Sequence, residues 1–151
     1  MSEDPHVLEQ TFNNPAAVVW KAITDPDQMR QWFFEAMEDF KAEVGFETQF
    51  NVVCDGRDFI HLWKVAEVVP QKRIAYSWLY EGYPGDSTVV WELSETSNGT
   101  KLLFTHVFRE SFPQDEPAFT REACRGGWDY FVHESLPAFL QGNPLPREQS
   151  E

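Results

Sequence analysis

The sequence predicts an α+β domain in which a curved antiparallel sheet of about six or seven strands surrounds a long C-terminal helix. Apolar and polar residues alternate with a period of two over much of the region from residue 46 to residue 108. An apolar face with helical spacing follows near the C-terminus. Two short helical segments separate the first strand from the others, which follow one another through short connections typical of an antiparallel sheet.

The N-terminal elements are a strand and two short helices. Residues 6–12 predict the strand, and Asn13-Asn14-Pro15 then supplies residues that favour a helix start. The first helix has an apolar face at i, i+3, i+4 and i+7, made of Ala16, Val19, Trp20 and Ile23. Thr24-Asp25-Pro26 starts a second helix, which ends near Trp32-Phe33.

The central region predicts consecutive strands. Of these, the segment from Asp58 to Val69 is long enough that we expect it to bend. Ser97-Asn98-Gly99 is a hairpin turn signal between the last two strands. The predicted strand segments are 46–53, 58–69, 74–80, 89–94 and 102–108.

The last element is a helix predicted from Pro117 to Gln141, with Gly142 as its stop. Gly126-Gly127 weakens it by roughly 1 kcal/mol per glycine, and Pro137 should bend its final turns because proline removes a backbone hydrogen bond. One broad face carries Cys124, Trp128, Phe131, Val132, Ser135 and Phe139. Residues 142–151 are polar and proline-containing and predict a flexible tail.

Length and composition favour a single domain over residues 1–151. The net charge is -13, from 12 basic and 25 acidic residues, which disfavours binding to nucleic acid or to an anionic membrane. The first residues lack the pattern of a signal peptide and no apolar run reaches the length of a membrane span, so we expect neither feature. Two cysteines 70 positions apart predict neither a disulfide framework nor a metal site. We therefore expect a cytoplasmic protein without cofactor or metal.

Short sequence segments, in this order and spacing, resemble the START-like (SRPBCC) superfamily, and most closely its branch similar to the activator of heat-shock protein 90 ATPase homologue. The resemblance runs from about Leu8 to Leu140. It rests on segments 15–26, 31–33, 44–45, 65–70, 73–78, 88–93, 99–102, 105–106 and 126–128.

The resemblance implies a helix-grip fold with a space between sheet and helix that often holds an apolar ligand. It does not imply one activity, because members include lipid carriers, cyclases, hydrolases and co-chaperone domains. The chain departs from the family pattern at Phe46, where a second glycine is usual, and at Val69 and Gln71, which replace an aspartate and a proline. Trp91 is larger than the usual small aliphatic residue, and if its side chain points inward it should narrow the cavity.

Histidines are the titratable residues of most interest. His106 shares the parity of Leu102 and Phe104, so it should face the interior as a structural histidine, a ligand anchor or a general base. The strand phase around His61 is not fixed by the pattern, and we expect it at the surface or rim. His133 lies off the main apolar helix face and should be solvated.

Aromatic residues make up 15% of the chain, and parity places several of them inside. They could fill the core or line a ligand site. The predicted ligand-binding residues are Trp32, Phe50, Tyr76, Trp78, Trp91, Phe104, His106, Trp128 and Phe131.

Three functions stay open at this point. The favoured one is binding of a small apolar or aromatic molecule, with no catalytic residue assigned. The second is an enzyme of the cyclase, aromatase or hydrolase kind that uses His106, with Tyr76 as a partner. The third is a chaperone-regulating interaction domain, and a homodimer is also compatible with the sequence.

Overall fold

A computed structural model describes residues 4–54 and 56–142, with the side chain of Cys54 outside this description. Residues 143–151, most of the predicted tail, also lie outside the described residues. Six strands form one antiparallel sheet in the order β1-β6-β5-β4-β3-β2, which confirms the predicted α+β architecture. The strands are β1 (His6–Phe12), β2 (Glu47–Cys54), β3 (Arg57–Val69), β4 (Arg73–Tyr80), β5 (Asp86–Thr96) and β6 (Gly99–Glu110).

Two short helices follow β1, as predicted: α1 (Ala16–Thr24) and α2 (Pro26–Trp32). The Asp25 side chain caps α2 by accepting a hydrogen bond from the backbone N–H of Gln28 at 3.2 Å. The chain then enters β2 at the far edge of the sheet, so β1 and β2 form opposite edges. The connection over residues 13–46, which contains both helices, therefore joins one edge of the sheet to the other.

The predicted bend in β3 is a bulge. The pairing of β3 with β4 shifts between Val65 and Glu67, and an extra residue in one strand increases bending and twist. The hairpin signal is confirmed, because Thr96 pairs with Gly99 across a two-residue loop. Glycine is needed there since a Cβ at Gly99 would overlap the carbonyl oxygen of Phe12.

The C-terminal helix is shorter and less regular than predicted. Pro117–Phe119 forms a separate 3-10 turn, and the helix begins at Arg121 because the Thr120 hydroxyl caps it through the N–H of Ala123. Leu136 donates its N–H to the carbonyl of Phe131, five residues back, and Pro137 follows without an N–H. The helix consists of α3 (Arg121–Tyr130), a π-helical turn (Phe131–Ser135) and α4 (Leu136–Leu140).

The interior between the sheet and this helix is dominated by aromatic rings. Fully buried examples include Trp32, Trp63, Trp91, Tyr76 and Phe104. Their rings contact one another mostly in tilted and edge-to-face geometries, which are the favoured ones. Within the described residues, none of the helices is both long and apolar enough to span a membrane.

Candidate ligand-binding cavity

A cavity of about 150 Å³ lies between α3 and the concave face of the sheet. Two larger depressions, of about 380 and 450 Å³, lie on the outer face of the sheet, where polar and charged side chains surround them. Only the first has mostly aromatic walls, so we consider it the candidate site. It is lined by Phe34, His61, Trp78, Tyr80, His106, Phe108, Phe112, Ala118, Phe119, Arg121, Ala123, Cys124, Gly127, Trp128 and Phe131.

Strand β4 supplies one wall of the cavity. Trp78 and Tyr80 point to the same side because alternate residues of a strand share a face. The indole N–H of Trp78 donates to the Tyr80 hydroxyl at 2.9 Å. The Tyr80 ring stacks on Phe119 with 4.5 Å between ring centroids. Burial raises the pKa of Tyr80 above its ordinary value, so its hydroxyl keeps its proton at neutral pH.

Helix α3 supplies the opposite wall. Trp128 is buried and packs against Phe104 with 4.2 Å between ring centroids. Cys124, one turn earlier, and Gly127, the preceding residue, also border the cavity. A Cβ added to Gly126 or Gly127 would meet no atom within 4 Å, so the glycine pair does not serve close contact with the sheet. Gly127 instead leaves open space at the cavity.

His106 is buried at the base of the cavity, as predicted from strand parity. The Trp128 indole N–H donates to its Nδ1 at 3.0 Å, and an indole can only donate. Nδ1 is therefore unprotonated, and Nε2 carries the proton that it donates to Ser87 Oγ at 2.8 Å. The Ser87 hydroxyl in turn donates to the carbonyl of Trp78 at 2.7 Å.

This chain of hydrogen bonds fixes His106 as a neutral ring. Burial, followed by the nearby charge of His6 when protonated, lowers the pKa of His106 to about 3. Both ring nitrogens are engaged by protein groups. The Cys124 sulfur also lies 3.7 Å from Nδ1. The ring is thus a structural junction between α3 and strands β5 and β6.

The expectation that His61 lies at the surface or rim is wrong. His61 is 5% exposed, and alternate residues Phe59, His61, Trp63 and Val65 all face the interior. The sequence left this phase undecided because the intervening positions Ile60 and Leu62 are also apolar. Burial lowers the pKa of His61 to about 4. His133 is exposed, as predicted.

The sequence pattern does not single out the fourth histidine, His6. His6, in β1, is buried beside His106, with 6.5 Å between ring centroids. Its Nε2 has no hydrogen-bond partner among the described residues, and burial lowers its pKa to about 4. The alternation of His6 with Leu8 in a strand could have indicated its inward orientation.

Four of the predicted ligand-binding residues line the cavity: Trp78, His106, Trp128 and Phe131. The other five lie outside its lining, in the surrounding core: Trp32, Phe50, Tyr76, Trp91 and Phe104.

Tyr76 was expected as a partner of His106, and this expectation is wrong. Its hydroxyl accepts a hydrogen bond from the Trp91 indole at 3.0 Å, and its ring packs against Trp63. Trp91 points inward, which is the orientation in which it narrows the interior. Its ring contacts Phe33 edge to face. The two residues therefore satisfy each other's polar atoms inside the core.

Several cavity residues come from segments without regular periodicity. Phe34 follows α2, and Phe112 and Phe119 lie on the connection between β6 and α3. This connection is held to β3 by the ion pair of Arg57 with Glu116, in which both N–O distances are 2.6 Å. The aromatic character of Phe34, Phe112 and Phe119 is the only sequence signal for their role, because the sequence of an irregular segment does not predict which way a side chain points.

A family model for activator of Hsp90 ATPase homolog 1-like protein matches residues 13–141. The chain belongs to this family. The matched region contains every residue that lines the cavity, whereas His6 lies outside it. No curated protein is significantly similar in sequence to this family member.

Solved structures share the fold of this chain. Protein CV1439 from Chromobacterium violaceum is 23% identical, with 91% of this chain and 96% of the other covered and a TM-score of 0.75. Protein MLL2253 from Mesorhizobium loti is 27% identical, with 94% and 100% covered and a TM-score of 0.73. DynU16, described as a protein in the dynemicin biosynthetic locus, is 22% identical, with 94% and 49% covered and a TM-score of 0.74.

Proposed function

We propose that this domain binds a small apolar or aromatic molecule in the cavity between α3 and the sheet. The observation that carries this proposal is a cavity of about 150 Å³ with predominantly aromatic walls. An apolar cavity of roughly that volume accommodates a single benzene ring in a protein core. Removal of such a ring from water, together with edge-to-face contacts to the walls, would supply the affinity.

Catalysis by His106 is the weaker alternative. A general base needs a free nitrogen lone pair within reach of the substrate. The lone pair on Nδ1 already accepts a hydrogen bond from the Trp128 indole N–H, and the Nε2 proton is donated in a hydrogen bond to Ser87 Oγ. The pKa of about 3 also makes His106 a poor proton acceptor. These contacts favour a ligand carrier over an enzyme that uses this histidine.

Protein interaction is a separate hypothesis that rests on the family name and on the acidic surface charge. Retention of a purified Hsp90-type chaperone by the immobilised domain, together with a change in the chaperone's ATPase rate, would support it. A homodimer is likewise a prediction, which sedimentation equilibrium would test. DynU16 shares the fold and belongs to a biosynthetic locus, which agrees with a role in handling small molecules.

The proposed binding is tested by calorimetric titration of the domain with toluene at pH 7.5. Gly127→Leu places a side chain at the cavity, and we expect it to abolish heat from binding. Gly126→Leu is the matched control, because Gly126 is equally helical and unhindered but does not line the cavity. The proposal is wrong if the unmodified domain binds no small aromatic molecule, or if both variants bind like it.

A further inference from the structure

Two neutral polar groups of the cavity are left with hydrogen-bonding capacity. The first is His61, whose Nδ1 lies 3.0 Å from the backbone carbonyl oxygen of Phe59. A carbonyl oxygen can only accept, so Nδ1 carries the ring proton. Nε2 is then the unprotonated nitrogen, with a lone pair directed away from the strand backbone.

Nε2 of His61 has no protein partner within residues 4–54 and 56–142. The ring belongs to the cavity lining, and its neighbours are the aromatic rings of Phe50, Phe34, Trp78 and Tyr80. None of these rings supplies a hydrogen bond to it. Among the described residues, the fully buried nitrogens without a partner are His6 Nε2 and Trp63 Nε1, so Nε2 of His61 borders accessible space in the cavity. A donor brought by a ligand can therefore reach it, and a ligand that covered it without a donor would leave the acceptor unsatisfied.

Tyr80 provides the complementary group. It pairs with His61 across β3 and β4, and the two ring centroids lie 4.8 Å apart in an edge-to-face geometry. The Tyr80 oxygen accepts from the Trp78 indole, but its own proton has no acceptor in the described part of the chain. A hydroxyl both donates and accepts, so Tyr80 remains able to donate one hydrogen bond.

We infer, building on the proposed function, that the ligand is a phenol: one aromatic ring whose hydroxyl donates to His61 Nε2 and accepts from the Tyr80 hydroxyl. The cavity volume of about 150 Å³ limits the ligand to about one ring. A phenol hydroxyl can bond to the acceptor of His61 and the donor of Tyr80 at once, whereas a methyl group can bond to neither. Because burial keeps His61 neutral, with a pKa of about 4, its acceptor persists at neutral pH.

A neutral hydroxyl fits these groups better than an ion does. Both His61 and Tyr80 are uncharged at neutral pH, and an anionic carboxylate would place its charge beside the acceptor lone pair of His61. Arg121, the cationic residue of the lining, donates to the carbonyls of Asp4 and Pro5. The cavity is therefore built to distinguish an aromatic hydroxyl from a ring of the same size without one.

The test compares phenol with toluene, which have the same ring and substituents of similar size. Calorimetry at pH 7.5 gives the affinity ratio of phenol to toluene for the unmodified domain, His61→Phe and Tyr80→Phe. The ratio of each variant is compared with that of the unmodified domain. In this comparison the difference in hydration between free phenol and free toluene cancels. We expect the ratio to fall roughly tenfold in His61→Phe and several-fold in Tyr80→Phe. The exposed residue change His133→Phe should leave the ratio unaltered.

A second readout uses the unmodified domain, so it does not depend on variant folding. With 15N-labelled histidine, phenol should shift the Nε2 resonance of His61, and toluene should not. If toluene and phenol bind but neither variant alters their ratio and no resonance shift occurs, the phenol inference is wrong and the proposed apolar binding stands. If neither probe binds the unmodified domain, the proposed function itself fails.

Discussion

Acidification from pH 7 to pH 5 should destabilise this domain through its buried histidines. His61 and His106 are both at least 95% buried, at 5% and 1% exposure. Burial lowers their pKa values from 6.5 to about 4 and about 3. The unfolded chain therefore takes up protons below pH 6.5, while the folded chain does not. The contribution of these two histidines to the free energy of unfolding is complete above pH 6.5, and it is lost as the pH falls toward their folded-state pKa values.

The size of the effect follows from these values. Between pH 7 and pH 5, each histidine removes about 2 kcal/mol from the free energy of unfolding, so the two together remove about 4 kcal/mol. His6, whose pKa is also lowered, acts in the same direction. The carboxylate of Asp86 has a lowered pKa as well, but its contribution is lost only below the ordinary range near 3.8. The histidines therefore dominate this window.

Urea unfolding followed by tryptophan fluorescence, at several pH values from 7 to 5, measures this loss. His61→Phe should reduce the loss by about 2 kcal/mol, because it removes one group that titrates only in the unfolded chain. The exposed His133→Phe is the matched control and should preserve the original slope. A free energy of unfolding that stays level from pH 7 to pH 5, or an equal loss in His61→Phe, would refute the reasoning.

Three further changes test single contacts, each by urea unfolding at pH 7. Thr120→Ala removes the side-chain cap of α3 and should cost about 1 kcal/mol; Thr120→Ser, which keeps a hydroxyl, should cost less. Ser135→Ala removes the buried 2.6 Å hydrogen bond to the carbonyl of Trp32 and should cost about 1–3 kcal/mol; no loss would mean that water replaces the hydroxyl. Gly99→Ala should be the most harmful, because its Cβ would overlap the carbonyl of Phe12, and a variant as stable as the parent would contradict that geometry.

Regular elements could be predicted well because their periodicity is local. The first strand, His6–Phe12, was predicted with the bounds that the structure has. The start of the last helix could not be, because Pro117 favours any helical turn and the cap at Thr120 is recognised only when its hydroxyl is seen to bond. The π-helical turn before Pro137 was outside the reach of a helical-spacing argument.

The candidate site was predicted only in part, for reasons of geometry. Parity identified the inward direction of Trp78 and His106, but it could not tell which inward rings border empty space and which border one another. Trp91 and Tyr76 share that parity, yet they fill the core and bond to each other. His61 shows the opposite failure, since apolar neighbours on both faces of β3 concealed its direction.

The hydrogen-bond chain from Trp128 through His106 to Ser87 has a consequence for how the helix is seated. Burial of apolar surface is itself non-directional, so it does not select one position of a helix over a sheet. An indole proton has one acceptor to meet, and a shift by a single residue would separate them. These hydrogen bonds thus fix the register of α3 over the sheet. Because the helix forms one wall of the cavity, they also fix the shape of the cavity beside it.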